Sequence, residues 1–201
     1  MTHPARTGQR YGPHRDPTIN EAVLATTRRL LIEHGYAGVS IDLIASTAGV
    51  SRPAIYRRWP SKAHVVHEAV FVGIEPREQP DDGFAAEVRR MVRGAVQMFA
   101  EPATREAIPG LMSEIRSDPA LQQILAARLE TAARGSLTRQ LPKAVEAGEV
   151  RRGVDADTLF DTIAGAAIFA LCIRDVRDVE GLVASLTDLV LHGVLGPHAT
   201  D

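Results

Sequence analysis

Cysteine occurs once in 201 residues, at Cys172, so no disulfide can staple the chain to itself. The sequence is therefore expected in a reducing compartment, the cytoplasm. The N-terminal residues show no apolar run of the kind that builds a signal peptide. Long hydrophobic runs are missing elsewhere too. The longest, Ile163 to Ile173, is about half of the roughly 20 residues a membrane span needs, and Asp161 and Arg174 flank it closely. No membrane span is expected. There is no stretch of alternating polar and apolar residues long enough for a strand, and no internal repeat. Enzyme signatures are absent as well: no phosphate-binding glycine loop, no Gly-x-Ser-x-Gly elbow and no paired Glu-x-x-His of a di-iron bundle. The expectation is an all-α protein that is not an enzyme and needs no cofactor.

Charge is present but unevenly shared. The formal net charge is −2, yet residues 1–75 carry nine Lys or Arg against six Asp or Glu, while the remainder carries fourteen against nineteen. A basic N-terminal third favours contact with nucleic acid. Residues 1–16 join Arg6, Arg10 and Arg15 to Pro4, Gly8, Gly12 and Pro13 without apolar periodicity. They read as a flexible basic arm, either entering a minor groove or forming a solvated tail.

Three serines punctuate the next segment, residues 17–75. A helix from Pro17 carries Ile19, Val23, Leu30 and Leu31 at helical spacing and stops at Gly35. Ser40 can cap a short helix through Ala48, Ser51 a second with Pro53 in its tolerant first turn, and Ser61 a third reaching about Gly73. The polar, proline-rich run between Ile74 and Gly83 marks a boundary. Beyond it, residues 76–201 form a second helical domain. Its stripes include Val88, Met91, Val92 and Phe99, then Ile108, Leu111, Met112 and Ile115 in a helix interrupted or entered at Pro109-Gly110. A long helix opens at Asp118-Pro119 and is kinked or divided near Pro142. The final two helices, about 155–173 and 179–195, are the most apolar. The first is expected to be buried on both sides.

The stretch 40–59 has the mechanics of a helix-turn-helix. Two short helices crossing steeply need a small residue at the crossing, a turn residue that accepts positive φ, and apolar residues closing the corner. Ala45, Gly49, and Ile44 with Val50 and Ile55 supply these. Ser51 then caps the recognition helix and leaves Arg52, Pro53, Ala54, Tyr56 and Arg57 near the end that enters a major groove.

Residues Leu30 to Val70 resemble the DNA-binding domain of the tetracycline-repressor (TetR) family. The likeness is carried by Gly35-Tyr36, Ile44-Ala45, Ala48-Gly49-Val50-Ser51, Ile55-Tyr56 and Trp59-Pro60-Ser61-Lys62. The resemblance implies a three-helix helix-turn-helix head joined to a larger ligand-binding and dimerisation body. It also implies a repressor released from a palindromic double-stranded DNA operator by a small-molecule ligand. By position, Ser40, Tyr56 and Lys62 would contact phosphate, with Ser51 at the helix start, while Arg52, Pro53, Ala54 and Arg57 would face base edges or backbone. Pro53 stands where the family often has glycine, Arg58 where histidine or tyrosine is common, and Trp59 in place of phenylalanine.

Two further expectations concern the body. Its last two helices, with Ala164-Gly165-Ala166-Ala167 and the stripe Leu182, Val183, Leu186, Leu189, Val190, would pair with a second copy as a four-helix bundle, making a homodimer. A mostly apolar cavity near Phe99, Met112, Ile115 and Phe169 would hold the ligand, because proline and glycine interruptions keep helices from closing. His64, His67 and Glu68 share a helical face, but their order fits no familiar zinc motif and no metal site is expected.

Overall fold

The computed structural model describes residues 17–71, 82–129 and 134–193. Among the described residues all regular structure is helical. The expected arm and most of the polar linker lie outside them. The head contains α1 (Pro17–Gly38), α2 (Ile41–Ala48), α3 (Arg52–Tyr56) and α4 (Lys62–Val70). α1 loses helical geometry at Gly35 (φ 64°, ψ 174°), the residue whose missing Cβ lets the chain turn there. Val23, Leu30 and Leu31 form its buried stripe. Thr27 shares that stripe because its hydroxyl donates to the Val23 carbonyl at 2.8 Å.

Two of the three expected serine caps form as hydrogen bonds, and one does not. Ser40 Oγ accepts from the Leu43 N–H at 3.2 Å and Ser51 Oγ from the Ala54 N–H at 3.4 Å. Ser61 holds the extended N-cap conformation, but its hydroxyl lies 3.0 Å from His64 Nδ1 and caps no backbone N–H. The imidazole one turn along has outcompeted the helix end.

The body contains α5 (Phe84–Ala100), α6 (Pro102–Ser117), α7 (Pro119–Leu129), α8 (Gly135–Glu146), α9 (Ala156–Ile168) and α10 (Val179–His192). α9 runs on as a π-helical turn, Phe169–Ile173. Here the structure corrects the expected breaks. Pro109 and Pro142 both sit inside continuous helices, α6 and α8, on exposed faces where solvent can satisfy the carbonyl left without a donor. The chain breaks at Glu101-Pro102, which was not expected, and at Asp118-Pro119, as expected, where Asp118 Oδ1 accepts from the Ala120 and Leu121 N–H groups at 3.0 and 3.2 Å.

α6 forms the seam of the molecule, packing on α1 and α4 of the head and on α5 and the π turn of the body. α5 in turn carries α9 and α10. Residues 156–173 form an 18-residue helical stretch whose length and apolarity match a bilayer span, longer than the expected run. Phe160, Ile163, Ala167, Ala170 and Leu171 are buried, yet Gly165, Phe169 and Ile173 are exposed. Burial on both sides of α9, expected from composition, is therefore not met within one chain: α5, α8 and α10 pack on it and leave these positions uncovered.

Candidate nucleic-acid interface

The corner between α2 and α3 is plugged by Ile44, Ala45 and Ile55, with Trp59 behind them, all buried; Val50 is only half-buried. Gly49 turns the chain in the left-handed region (φ 67°, ψ 29°), and the Val50 N–H donates to the Ala45 carbonyl at 3.0 Å. A Cβ at Gly49 would meet nothing within 4 Å, so the backbone conformation, and not space, selects glycine. On this scaffold Ser40, Ser51, Arg52, Pro53, Tyr56 and Arg57 are exposed and Ala54 is half-buried.

Three contacts at the interface were not anticipated from the sequence. Arg52 Nε lies 2.6 Å from Asp42 Oδ1, joining the first turns of α2 and α3. Lys62 Nζ donates to the Tyr36 carbonyl at 3.1 Å and sits 3.9 Å from the centre of the Tyr36 ring. The buried Trp59 indole N–H donates to Glu68 at 2.7 Å, locking α3 to α4 across Pro60. An acid in the first turn of α2, and a Trp and Glu straddling a proline, were the available signals. Arg58 is turned inward, donating to the Ala54 carbonyl at 3.3 Å.

Behind the corner, α4 is fastened to its neighbours. Arg28 donates to the Ala69 carbonyl at 3.2 Å and Arg128 to the Phe71 carbonyl at 3.4 Å, so two guanidinium groups meet the negative end of α4. His67 is buried with its ring centre 5.0 Å from that of Phe71. Burial, then Arg128, then His64 push its pKa down to about 4, so the imidazole is neutral. His64, His67 and Glu68 thus do not converge: His64 meets Ser61, His67 meets Phe71 and Glu68 meets Trp59. The Tyr36 ring lies on α6, where a Cβ at Gly110 would fall 2.2 Å from its Cδ1. Burial, with Glu114 beside it, raises the Tyr36 phenol pKa.

The expected ligand residues are not brought together. Phe99 is buried in the body core, Ile115 is half-buried, and Met112 and Phe169 are 50% and 57% exposed. With Pro109 and Pro142 facing outward, Val92, Val96, Leu111, Leu121 and Leu137 close the body into a packed interior. A cleft of about 470 Å³ opens instead at the seam, walled by Tyr36, Arg105, Glu106, Gly110, Cys172 and Asp175, among others. Arg105 pairs there with Asp175. Burial raises the Cys172 thiol to about 11, against a smaller opposing effect of Arg105, so the thiol stays protonated.

Family comparison agrees with this geometry at both ends. Residues 23–69 match the model of bacterial regulatory proteins of the tetR family, and residues 79–190 match the tetracyclin repressor-like C-terminal domain. The chain belongs to the TetR family. Among similar proteins, an uncharacterized HTH-type transcriptional regulator of Mycobacterium tuberculosis is 30% identical over 171 residues, covering 84% of each chain. The DNA-binding transcriptional repressor TetR of Mycobacteroides abscessus is 26% identical, over 92% of this chain and 98% of that one. FadR from Bacillus subtilis, solved in complex with stearoyl-CoA, superposes with a TM-score of 0.60 at 16% identity, over 87% of this chain and 99% of that chain, a likeness of fold. As a TetR-family member the protein is a DNA-binding transcriptional regulator, with α2 and α3 as its helix-turn-helix.

Proposed function

We propose that this regulator is a cytoplasmic homodimeric repressor that releases a near-palindromic operator when a small molecule binds. The observation that carries the DNA side is the exposed start of α3, where Arg52, Pro53, Tyr56 and Arg57 stand on a corner held rigid by buried Ile44, Ala45, Ile55 and Trp59. Ser40, Ser51, Tyr56 and Arg57 act on phosphate, and Arg52, Pro53 and Ala54 on base edges. Lys62 keeps two of its three N–H donors for phosphate while Tyr36 holds the third. The seam cleft is a better placed ligand site than the residues around Phe99, because an occupant there touches head and body at once. Dimerisation through α9 and α10 is supported by the exposed Phe169, Ile173 and Leu189.

A salt titration tests the DNA roles. Arg57→Ala should weaken binding to operator and scrambled duplex alike and lower the dependence of log K on log salt by about one phosphate contact per subunit. Arg52→Ala should relax preference at one base position, costing roughly 1–3 kcal/mol on the operator. If Arg52→Ala weakens both duplexes equally, its base-reading role is wrong.

A further inference from the structure

Arg52, the first residue of the recognition helix and the proposed reader of a base edge, has an acid of the same chain beside it. Asp42 Oδ1 lies 2.6 Å from Arg52 Nε, and both side chains are more than half exposed. As a source of fold stability such a pair is worth little. Its placement gives it another use. Asp42 is in the first turn of α2, whose N-terminus Ser40 caps, and Arg52 is the first residue of α3, whose N-terminus Ser51 caps. An anion there is favoured by the α2 dipole, which suits the Asp42 carboxylate beside the corner. An exposed arginine otherwise has several rotatable bonds and samples many directions, and aligning it on a base is entropically costly. The contact is an ion pair and not a directed N–H···O hydrogen bond: charge attraction at Nε keeps the guanidinium beside the first turn of α2 while leaving its outer amino groups for the two acceptors of a guanine.

We propose that Asp42 is a specificity-determining positioning residue, which aims the Arg52 guanidinium at a guanine edge and keeps it from neutralising a phosphate instead. The inference rests on Arg52 reading a base. A carboxylate on a DNA-facing surface repels the phosphate backbone, so Asp42 weakens binding to every sequence. Through Arg52 it recovers that loss only on duplexes with guanine at the matching position.

Selection of duplexes from a randomised pool by the full-length protein, Arg52→Ala, Asp42→Asn and the double variant tests this. Circular dichroism melts confirm that each is folded. Expected is loss of the guanine preference at one position of each half-site in Arg52→Ala, and a weaker preference at that same position in Asp42→Asn. The ratio of operator to scrambled affinity in Asp42→Asn should fall roughly tenfold, within the range of one bidentate base contact, while scrambled duplex binds more tightly. In the Arg52→Ala background, Asp42→Asn should shift both duplexes by one common factor. Asp42→Glu, which keeps the charge but displaces the carboxylate, should also lower the ratio. Three results overturn the proposal: Asp42→Asn tightens both duplexes equally with the preference intact, it sharpens the preference, or its effect on preference persists without Arg52. If Arg52→Ala leaves every position unchanged, the base-reading role fails and this inference with it. If Arg52→Ala flattens a position and Asp42→Asn does not, the inference alone fails.

Discussion

His67 is a buried titratable group on α4, the head helix that packs on α6, and its neutrality has a thermodynamic consequence. The native imidazole titrates near 4, against an unfolded value of 6.5. Between those values the unfolded chain binds more protons than the native one, so stability rises with pH there and is lost as pH falls from about 6.5 toward 4. The full shift corresponds to roughly 3 kcal/mol. Urea unfolding at pH 7.5 and pH 5 should show about 2 kcal/mol of that loss in the parent protein, since pH 5 is still above the native pKa. His67→Leu should remove most of the difference between the two pH values, even if it lowers stability at both. At this scale the sequence was most legible where backbone geometry dictates residue type. Gly35 and Gly49 both occupy left-handed φ, and the Ser40 and Ser51 caps form where an oxygen-bearing side chain precedes a helix. It was least legible where two side chains compete for one partner, as when His64 diverts the Ser61 hydroxyl, or where residues distant in sequence meet, as Lys62 does with Tyr36.

Among elements, α6 decides how the head sits. The Tyr36 ring fills the space above Gly110, and the Lys62 ammonium at the start of α4 lies 3.9 Å from the centre of that ring. Gly110→Ala should therefore destabilise by about 1–3 kcal/mol, the usual cost of overpacking, despite the better helix propensity of alanine. Thermal melts of Gly110→Ala and of Gly94→Ala, a helical glycine with open space at its Cβ, separate the two effects. Gly94→Ala should be neutral or stabilising; equal loss in both would show that Tyr36 yields without cost. Reading helix ends from prolines succeeded at Asp118-Pro119, where a cap accompanies the proline, and failed at Pro109 and Pro142. A proline on the solvent side removes one hydrogen bond without ending a helix whose opposite face is held by the core. The expected ligand cavity depended on those breaks; with the helices continuous, Phe99 is buried in the core while Met112 and Phe169 face outward.

For the whole molecule, α9, its π turn and α10 carry apolar side chains left uncovered by the described chain. Phe169, Ile173 and Leu189 are exposed by 45–59%, and a Cβ at Gly165 meets nothing within 4 Å, leaving room for a helix to approach closely. Phe169→Glu combined with Ile173→Glu should shift the protein to monomer in light scattering while α2–α4 keep their helicity. The monomer should bind a single half-site weakly, because the second recognition helix is lost. An unchanged dimer mass would place the interface elsewhere.

The close seat of Tyr36 on Gly110 also bears on modularity. Head and body match separate family models, which invites treating them as exchangeable cassettes. The ring and the bare Cα form a lock and key across the border, with the key in the head and the lock in the body. A chimera that sets this head on another body should fold well only if that body offers a residue without a side chain at the facing position of its seam helix. The residue at 110 has to travel with the head, although it belongs to the other domain.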